Sequence, residues 1–224
     1  MPTDAVIVAA GASTRFGPAD KLTADLLGRP AIAWSLAAFG AVRDLGCLVI
    51  VAAPGREQEF EAIARDACPR ACYRVVPGGP RRRDSVEAGL RACSTRYVAI
   101  HDGARSLVTA ALIEAVIAAA GGRPGAIAAI PVTDTIKEVA DGVITGHPDR
   151  SRLWAAQTPQ VVLRQAWLDA AAMSDNDETD DAAMLSRLGL ECAVVQSTPE
   201  NLKLTRPLDL EIARLILAQR QGSP

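Results

Sequence analysis

Short aliphatic runs alternate with longer amphipathic segments through most of the chain, and this rhythm restricts the fold more than any other feature. The aliphatic runs are rarely broken by polar residues, which is typical of strands buried on both faces of a parallel sheet. The intervening segments have helical lengths, and one of them starts after a Thr cap at Thr109 and stops at Gly121-Gly122. The pattern therefore predicts an α/β fold with a doubly wound, mostly parallel sheet.

The predicted elements follow from this rhythm. The strands are Ala5–Ala10, Cys47–Ala53, Cys72–Val76, Tyr97–Ile100, Ala126–Val132 and Glu191–Gln196. The helices are Pro30–Val42, Arg56–Ala67, Asp84–Ala92, Thr109–Ala120, Arg164–Met173, Asp180–Leu188 and Pro207–Gln219. Between residues 133 and 160 the rhythm changes to two short β pieces, Thr135–Val139 and Gly142–Thr145, which predict a β-hairpin arm. We expect one domain over residues 1–224 that carries this arm, because 224 residues suit a single large α/β domain.

Charge, hydropathy and cysteine usage argue against several classes of partner. The net charge is -2, which gives no electrostatic reason to expect nucleic acid or an anionic membrane. The apolar runs are far shorter than the roughly 20 residues that cross a bilayer, and Asp4 stands where a signal sequence would be basic. Five widely spaced cysteines and two histidines match no zinc pattern and indicate reduced thiols. We therefore expect a cytoplasmic protein without a nucleic-acid or membrane partner. Any role of positive charge must then be confined to particular sites on the protein.

The turn after the first strand is the most informative stretch. Residues 9–17 read AAGASTRFG, and Lys21 follows them. Small residues let backbone N–H groups approach phosphate oxygens, while Arg15 and Lys21 add charged donors. The stretch has neither the Gly-Lys-Ser/Thr of a Walker loop nor, between Gly11 and Gly17, the spacing of a dinucleotide loop. It predicts a phosphate-binding loop of another kind, and the alternative is a tight turn with two solvated cations.

Two further loops follow strands in the same way. Residues 78–85, GGPRRRDS, follow the third strand and lead into a helix, although an arginine run by itself is usually a solvated face. Residues 101–105, HDGAR, follow the fourth strand. Ligands of open α/β sheets bind beyond the carboxyl ends of the strands, so Asp102 can hold Mg²⁺ that bridges nucleotide phosphates. The alternatives are a turn or cap role for Asp102, and we interpret His101 as a structural histidine.

Together these loops resemble the 2-C-methyl-D-erythritol 4-phosphate cytidylyltransferase family. Further blocks in family order extend the resemblance almost to the C-terminus, and an ordered set is far more specific than any one block. The chain departs from the family at Asp20 and Ser106, where proline is usual, but it keeps Lys21. The further blocks are Pro131–Lys137 (PVTDTIK), Asp149-Arg150 with Leu153-Trp154, Gln157–Gln160 (QTPQ), Thr179–Ala182 (TDDA) and Asn201–Thr205 (NLKLT).

The resemblance implies a Rossmann-like nucleotidyltransferase sheet and a reaction. The cytidylyl group of CTP would pass to 2-C-methyl-D-erythritol 4-phosphate, with release of pyrophosphate, in non-mevalonate isoprenoid precursor synthesis. It also implies Mg²⁺ as the cofactor and a homodimer formed through the β-arm.

The resemblance also implies roles for individual residues. Arg15, Lys21 and Lys203 are the expected catalytic cations, and Asp102 is the expected metal ligand. Asn201 either completes the metal site or is a turn residue. The expected nucleotide-binding residues are Ala10, Gly11, Ala12, Ser13, Gly78, Gly79, Arg82, Ser85 and Ala104. The expected acceptor-binding residues are Arg105, Thr135, Arg150, Thr158 and Thr179, where β-propensity or helix capping is the alternative for each threonine.

Several other functions remain open at this level. A cytidylyltransferase for another polyol phosphate, such as ribitol 5-phosphate, would share the nucleotide loops. A sugar-1-phosphate or molybdopterin nucleotidyltransferase would prefer a purine or thymine nucleotide. A non-catalytic nucleotide-binding regulator would be expected to lose catalytic charges, but Arg15, Lys21, Asp102 and Lys203 are all present.

Overall fold

The computed structural model describes residues 1–11, 16, 20–173 and 178–222. The strands are β1 (Thr3–Ala9), β2 (Asp25–Leu26), β3 (Arg29–Pro30), β4 (Leu45–Ala52), β5 (Tyr73–Pro77), β6 (Tyr97–Asp102), β7 (Gly125–Pro131), β8 (Glu138–Ala140), β9 (Val143–Gly146), β10 (Trp154–Leu163) and β11 (Ala193–Gln196). The helices are α1 (Ala31–Gly40), α2 (Glu57–Ala67), α3 (Arg82–Ala92), α4 (Ala110–Ala119), α5 (Arg164–Met173), α6 (Asp181–Ser186) and α7 (Pro207–Gly222), with a 3₁₀ turn at Arg150–Arg152.

The central sheet of the described residues has seven strands in the order β11-β7-β10-β6-β1-β4-β5. The pairs β1–β4, β1–β6, β4–β5 and β7–β11 are parallel. Within the described part of this sheet, β10 is the one strand that runs antiparallel, against both β6 and β7. The predicted α/β class with a mostly parallel sheet is confirmed.

Helices cover both faces of the sheet because successive strand residues point to opposite sides. In β1 and β4, Ile7 and Ile50 join one core, and Val6 and Val49 join the other. The first core packs against α1, α2, α4 and α7, and the second against α3, α5 and α6. The sheet is therefore doubly wound, and most residues of β1 and β4 are buried between the two layers.

The strand β10 differs from the sequence prediction, which placed residues 133–160 in an arm. Residues 154–163 instead fill the middle of the sheet between β6 and β7. The register with β7 shifts between Ala156 and Gln160, where the chain carries the polar residues Gln157 and Thr158. This interruption hides the strand from a search for apolar runs.

Two small hairpins accompany the main sheet. The pair β2–β3 lies between Lys21 and α1, while β8–β9 forms a separate two-stranded sheet within the predicted arm. The arm therefore ends before Trp154, and its strands lie close to the two predicted β pieces. No helix among the described residues has the length and hydropathy required to span a bilayer.

Candidate active site

Two adjoining cavities lie beyond the carboxyl ends of β1, β5 and β6. The first has a volume of about 390 Å³, and the second about 220 Å³. Arg82, Asp102 and Lys203 line both of them. A larger cleft of about 620 Å³ lies at the opposite edge of the sheet, around Met1 and Tyr97, and contains none of the predicted site residues.

The two cavities separate the predicted residues into two groups. The first cavity collects predicted nucleotide-binding residues together with Lys21, and the second collects predicted acceptor-binding residues. The first is lined by Ala10, Gly11, Lys21, Gly79, Arg82, Ser85 and Ala104 among others. The second is lined by Arg105, Thr158 and Thr179 among others.

Asp102 lies at the boundary between the cavities and contacts two cations. Its Oδ2 is 2.6 Å from Lys203 Nζ, and its Oδ1 is 3.3 Å from Arg82 Nε. Burial alone would raise the pKa of Asp102, but Arg82 and Lys203 hold it well below its usual value. The carboxylate is therefore ionised at neutral pH.

Arg82 is held from the other side by Asp181, a residue to which the sequence analysis assigns no role. The guanidinium of Arg82 donates to both oxygens of Asp181, at 2.8 and 3.3 Å. Asp181 is buried in the first turn of α6, where Trp167 Nε1 also donates to it at 3.2 Å. Burial lowers the pKa of Arg82, yet the Asp181 and Asp102 carboxylates raise it overall. The only sequence signal for Asp181 was its place in the block TDDA.

Thr158 connects β10 to the end of β6. The Asp102 N–H donates to Thr158 Oγ1 at 3.0 Å, and the Thr158 hydroxyl lies 3.0 Å from His101 Nδ1. His101 Nε2 lies 3.2 Å from the Arg105 carbonyl, which can only accept, so the ring proton is on Nε2 and Nδ1 accepts from Thr158. Burial lowers the pKa of His101 to about 4, which keeps the ring neutral. His101 is a structural histidine, as interpreted from the sequence.

The C-terminal loop, which joins β11 to α7, brings Lys203 to Asp102. The Leu204 N–H donates to the Ala104 carbonyl at 2.8 Å, which pairs this loop with the chain that follows β6. Asn201 Nδ2 donates to Gln157 Oε1 and to the Thr158 carbonyl, at 2.8 and 2.9 Å. These contacts give Asn201 a positioning role in the loop.

The loop between β5 and α3 is shaped by Gly78 and Ser85. A Cβ on Gly78 would lie 2.5 Å from Ala10 Cβ and 2.8 Å from Ser85 Oγ, so only glycine allows this approach. Ser85 Oγ accepts from the Gly79 N–H at 3.2 Å and contacts the Gly79 and Arg81 carbonyls. The hydroxyl predicted to bind the nucleotide is thus engaged by the loop itself, and Ser85 also lines the first cavity.

Some predicted residues are not brought to these cavities. Thr135 and Arg150 are exposed on the arm, and Arg150 donates to the Thr133 carbonyl at 2.7 Å. Within this one chain, neither of them lines either cavity. Ala12, Ser13 and Arg15 lie outside the described residues, so their roles stay predictions.

Comparison with known proteins identifies the family. A family model described as IspD, 2-C-methyl-D-erythritol 4-phosphate cytidylyltransferase, matches residues 3–219. The chain belongs to this cytidylyltransferase family. A cytidylyltransferase of that name from Synechococcus elongatus is 42% identical over 223 residues, which cover 96% of each chain. One from Prochlorococcus marinus is 43% identical over 228 residues, which cover 96% of this chain and 98% of its own.

A solved structure agrees with the sequence comparison. The crystal structure of 2-C-methyl-D-erythritol 4-phosphate cytidylyltransferase from Thermus thermophilus has a TM-score of 0.77 and 27% identity. The match covers 96% of this chain and 98% of that one. The predicted family is confirmed.

Proposed function

We propose that the protein transfers the cytidylyl group of CTP to 2-C-methyl-D-erythritol 4-phosphate and releases pyrophosphate. The observation that supports this most directly is the shared wall between the two cavities. Two anionic substrates must meet at one phosphorus atom, and Arg82, Asp102 and Lys203 line both of the cavities described above. The same activity is named for the curated relatives.

The reaction requires positioning and charge neutralisation rather than a protein nucleophile. An oxygen of the acceptor phosphate attacks the α-phosphorus of CTP in line with the departing pyrophosphate. Lys21 in the first cavity is assigned to the triphosphate and its leaving group, and Lys203 to the α-phosphate. Arg105 in the second cavity is assigned to the acceptor phosphate, for which a guanidinium is well suited. Fixed cations at these points stabilise the charge that develops in the transition state.

Asp102 is the proposed Mg²⁺ ligand. Among the described residues no group of three or more His, Cys, Asp or Glu side chains could hold a metal, so the protein alone does not form a complete metal cage. Mg²⁺ commonly takes one or two carboxylates together with substrate phosphates, and an ionised Asp102 facing the first cavity fits that pattern. When bound there, the ion would neutralise charge on the phosphate oxygens.

Pyrophosphate release tests the proposed reaction. The four ribonucleoside triphosphates are compared with methylerythritol 4-phosphate as acceptor, and ribitol 5-phosphate is then compared with CTP as donor. We expect turnover only with CTP and with the methylerythritol acceptor. Equal rates with uridine or purine nucleotides would refute the cytidylyl assignment, and preference for ribitol 5-phosphate would refute the acceptor assignment.

We also propose that the arm joins two copies of the chain into a homodimer. A two-stranded hairpin is at best marginally stable in water without a covering partner. The arm exposes large apolar side chains that a second copy would cover, and Arg150 and Thr135 lie on it, away from the cavities of their own chain. These exposed side chains are Ile136, Val139, Val143 and Ile144. In the proposed dimer, Arg150 and Thr135 bind the acceptor in the partner's site.

Subunit mixing tests this arrangement. Arg150→Ala subunits and Lys21→Ala subunits, each expected to have little activity alone, are combined and mixed dimers are isolated. If Arg150 serves the partner's site, one site of each mixed dimer carries both defects and the other carries none, so activity partly returns. Verified mixed dimers without recovered activity would place both residues in one subunit's site. A flap folded back on its own subunit would give that result.

The proposed location is the cytoplasm. The support for this location is the cysteine pattern of the sequence, because five widely spaced cysteines are typical of reduced thiols.

A further inference from the structure

Two cysteines lie side by side at the amino ends of β4 and of the edge strand β5. The parallel register pairs Leu48 with Tyr73, so Cys47 and Cys72 are the next neighbours across the two strands. The Leu48 N–H donates to the Cys72 carbonyl at 2.8 Å, which fixes this alignment. The two Sγ atoms are 3.0 Å apart. Neighbouring strands lie about 4.8 Å apart, and a disulfide spans Cα separations of about 4.4–6.8 Å, so a bond needs little backbone movement.

This pair differs from the other cysteines in its surroundings. Cys68 and Cys93 are buried, where a thiol acts as a small hydrophobic group. Cys72 is exposed and Cys47 is half-buried. Because no cluster of three or more metal-ligating side chains occurs in the described part of the chain, the pair is not part of a structural metal site of that size. Its geometry instead suits formation of a bond between the two sulfur atoms.

The two thiols differ in their exposure to solvent, and this difference sets the order in which they react. Burial and the nearby Cys72 raise the pKa of Cys47, although the Arg74 guanidinium opposes the shift. Cys72 is exposed and Cys47 is half-buried, so Cys72 is the group that a reagent from solution reaches first. Cys47 is then placed to attack the Cys72 sulfur.

We propose that Cys47 and Cys72 form a thiol–disulfide exchange site for small disulfides of the glutathione disulfide class. The Cys72 thiolate attacks one sulfur of the small disulfide, which forms a mixed disulfide and releases one small thiol. The Cys47 thiolate attacks the Cys72 sulfur and expels the second small thiol. Two cysteine thiols are oxidised to one disulfide while the small disulfide is reduced to two thiols, so hydrogens and electrons balance.

The new bond would cross-link the amino ends of β4 and β5 and leave the active site open. It would join residues 25 apart in sequence and close a loop that contains α2. Both cysteines lie at the amino ends of their strands, whereas the two cavities lie at the carboxyl ends. Closing such a loop restricts the unfolded chain, so the urea unfolding midpoint should rise, by about 1 M for a chain of this size.

The test begins with the fully reduced full-length protein. It is incubated with oxidised glutathione, free thiols are blocked with an alkylating reagent, and digested peptides are identified by mass spectrometry. We expect a linked peptide joining Cys47 to Cys72, lighter by two hydrogen atoms than the two thiol peptides, and continued alkylation of the other three cysteines. Reduction with dithiothreitol should restore both thiols. The urea midpoint is measured before and after oxidation.

Two variants make the result specific. In Cys72→Ser, Cys47 should remain alkylatable and oxidation should not shift the urea midpoint. In the matched control Cys192→Ser, which alters a half-buried cysteine away from the pair, the cross-link and the shift should persist. The proposal is overturned if Cys47 and Cys72 both stay alkylatable, if Cys72 stops at a stable mixed disulfide with glutathione, or if other cysteine pairs form equally.

Discussion

Replacing Thr158 with valine separates positioning of the site from direct binding of the acceptor. Valine keeps the shape of the side chain but removes the hydroxyl that accepts from the Asp102 N–H and contacts His101 Nδ1. Both partners are buried, so both would be left unsatisfied. A buried unsatisfied polar group costs about 1–3 kcal/mol, and two of them should lower the free energy of unfolding by about 2–6 kcal/mol.

The assay combines urea unfolding with steady-state kinetics, and Thr158→Ser is the matched control because it keeps the hydroxyl. We expect Thr158→Val to unfold at clearly lower urea and to lose kcat, since Asp102 is no longer held at the end of β6. Thr158→Ser should stay close to the wild type in both measurements. If Thr158 only binds the acceptor, Thr158→Val will raise KM for the acceptor and leave stability unchanged, and our reasoning is refuted.

Three further predictions concern single side chains. Asp102→Asn should nearly abolish turnover while circular dichroism stays unchanged, and normal activity at limiting Mg²⁺ would show that Asp102 binds no metal. Lys21→Ala should lower kcat by roughly 10²-fold, or about 3 kcal/mol, whereas a change confined to KM would limit Lys21 to ground-state binding. Burial alone would raise the pKa of Asp4, but hydrogen bonds from three backbone N–H groups lower it below the ordinary 3.8. Its contribution to stability is complete above that value and is lost as pH falls through the lowered pKa, so urea midpoints of the wild type and Asp4→Asn should converge in acid and differ at neutral pH.

The parallel strands could be predicted from the sequence because their apolar runs are nearly uninterrupted. β1 and β4 are buried on both faces, and this burial is what makes their sequences aliphatic throughout. The loops that follow β1, β5 and β6 could be assigned to the site for a related reason. The carboxyl ends of parallel strands meet at one edge of the sheet, so short motifs far apart in sequence converge there.

The strand β10 could not be predicted because it combines a structural role with a role in the site. Gln157, Thr158 and Gln160 are polar but buried, where an apolar pattern would be expected. Gln160 Oε1 accepts from the backbone N–H groups of Asp181 and Ala182, each at 3.0 Å, and so fixes the start of α6. Local sequence rules fail at such positions because the side chains serve contacts that only the folded chain creates.

The pairing of Arg82 with Asp181 was equally hidden. The two residues are 99 positions apart, and the arginine run around Arg82 would by itself be interpreted as a solvated face. The block TDDA carried a family resemblance but no chemical role. The packing of α6 in the folded chain brings its carboxylate to the guanidinium.

The charges of the site explain how a protein with a net charge of -2 can bind two anions. Lys21, Arg81, Arg82, Arg105 and Lys203 line the two cavities, against the carboxylates of Asp102 and Asp180. The positive charge is therefore local, as the sequence predicted, and low-dielectric walls strengthen its effect on anions.

Asp102 organises this charge as well as being the proposed metal ligand. It joins Arg82 of α3 to Lys203 of the C-terminal loop, residues that are 20 and 101 positions away from it. Asp102→Asn would weaken that connection whether or not a metal binds there. Loss of activity in this variant would therefore not by itself identify a metal ligand, because displaced cations would have the same consequence. A change in the Mg²⁺ concentration required for half-maximal turnover, measured on residual activity, distinguishes the two effects, since displaced cations alone leave that concentration unchanged.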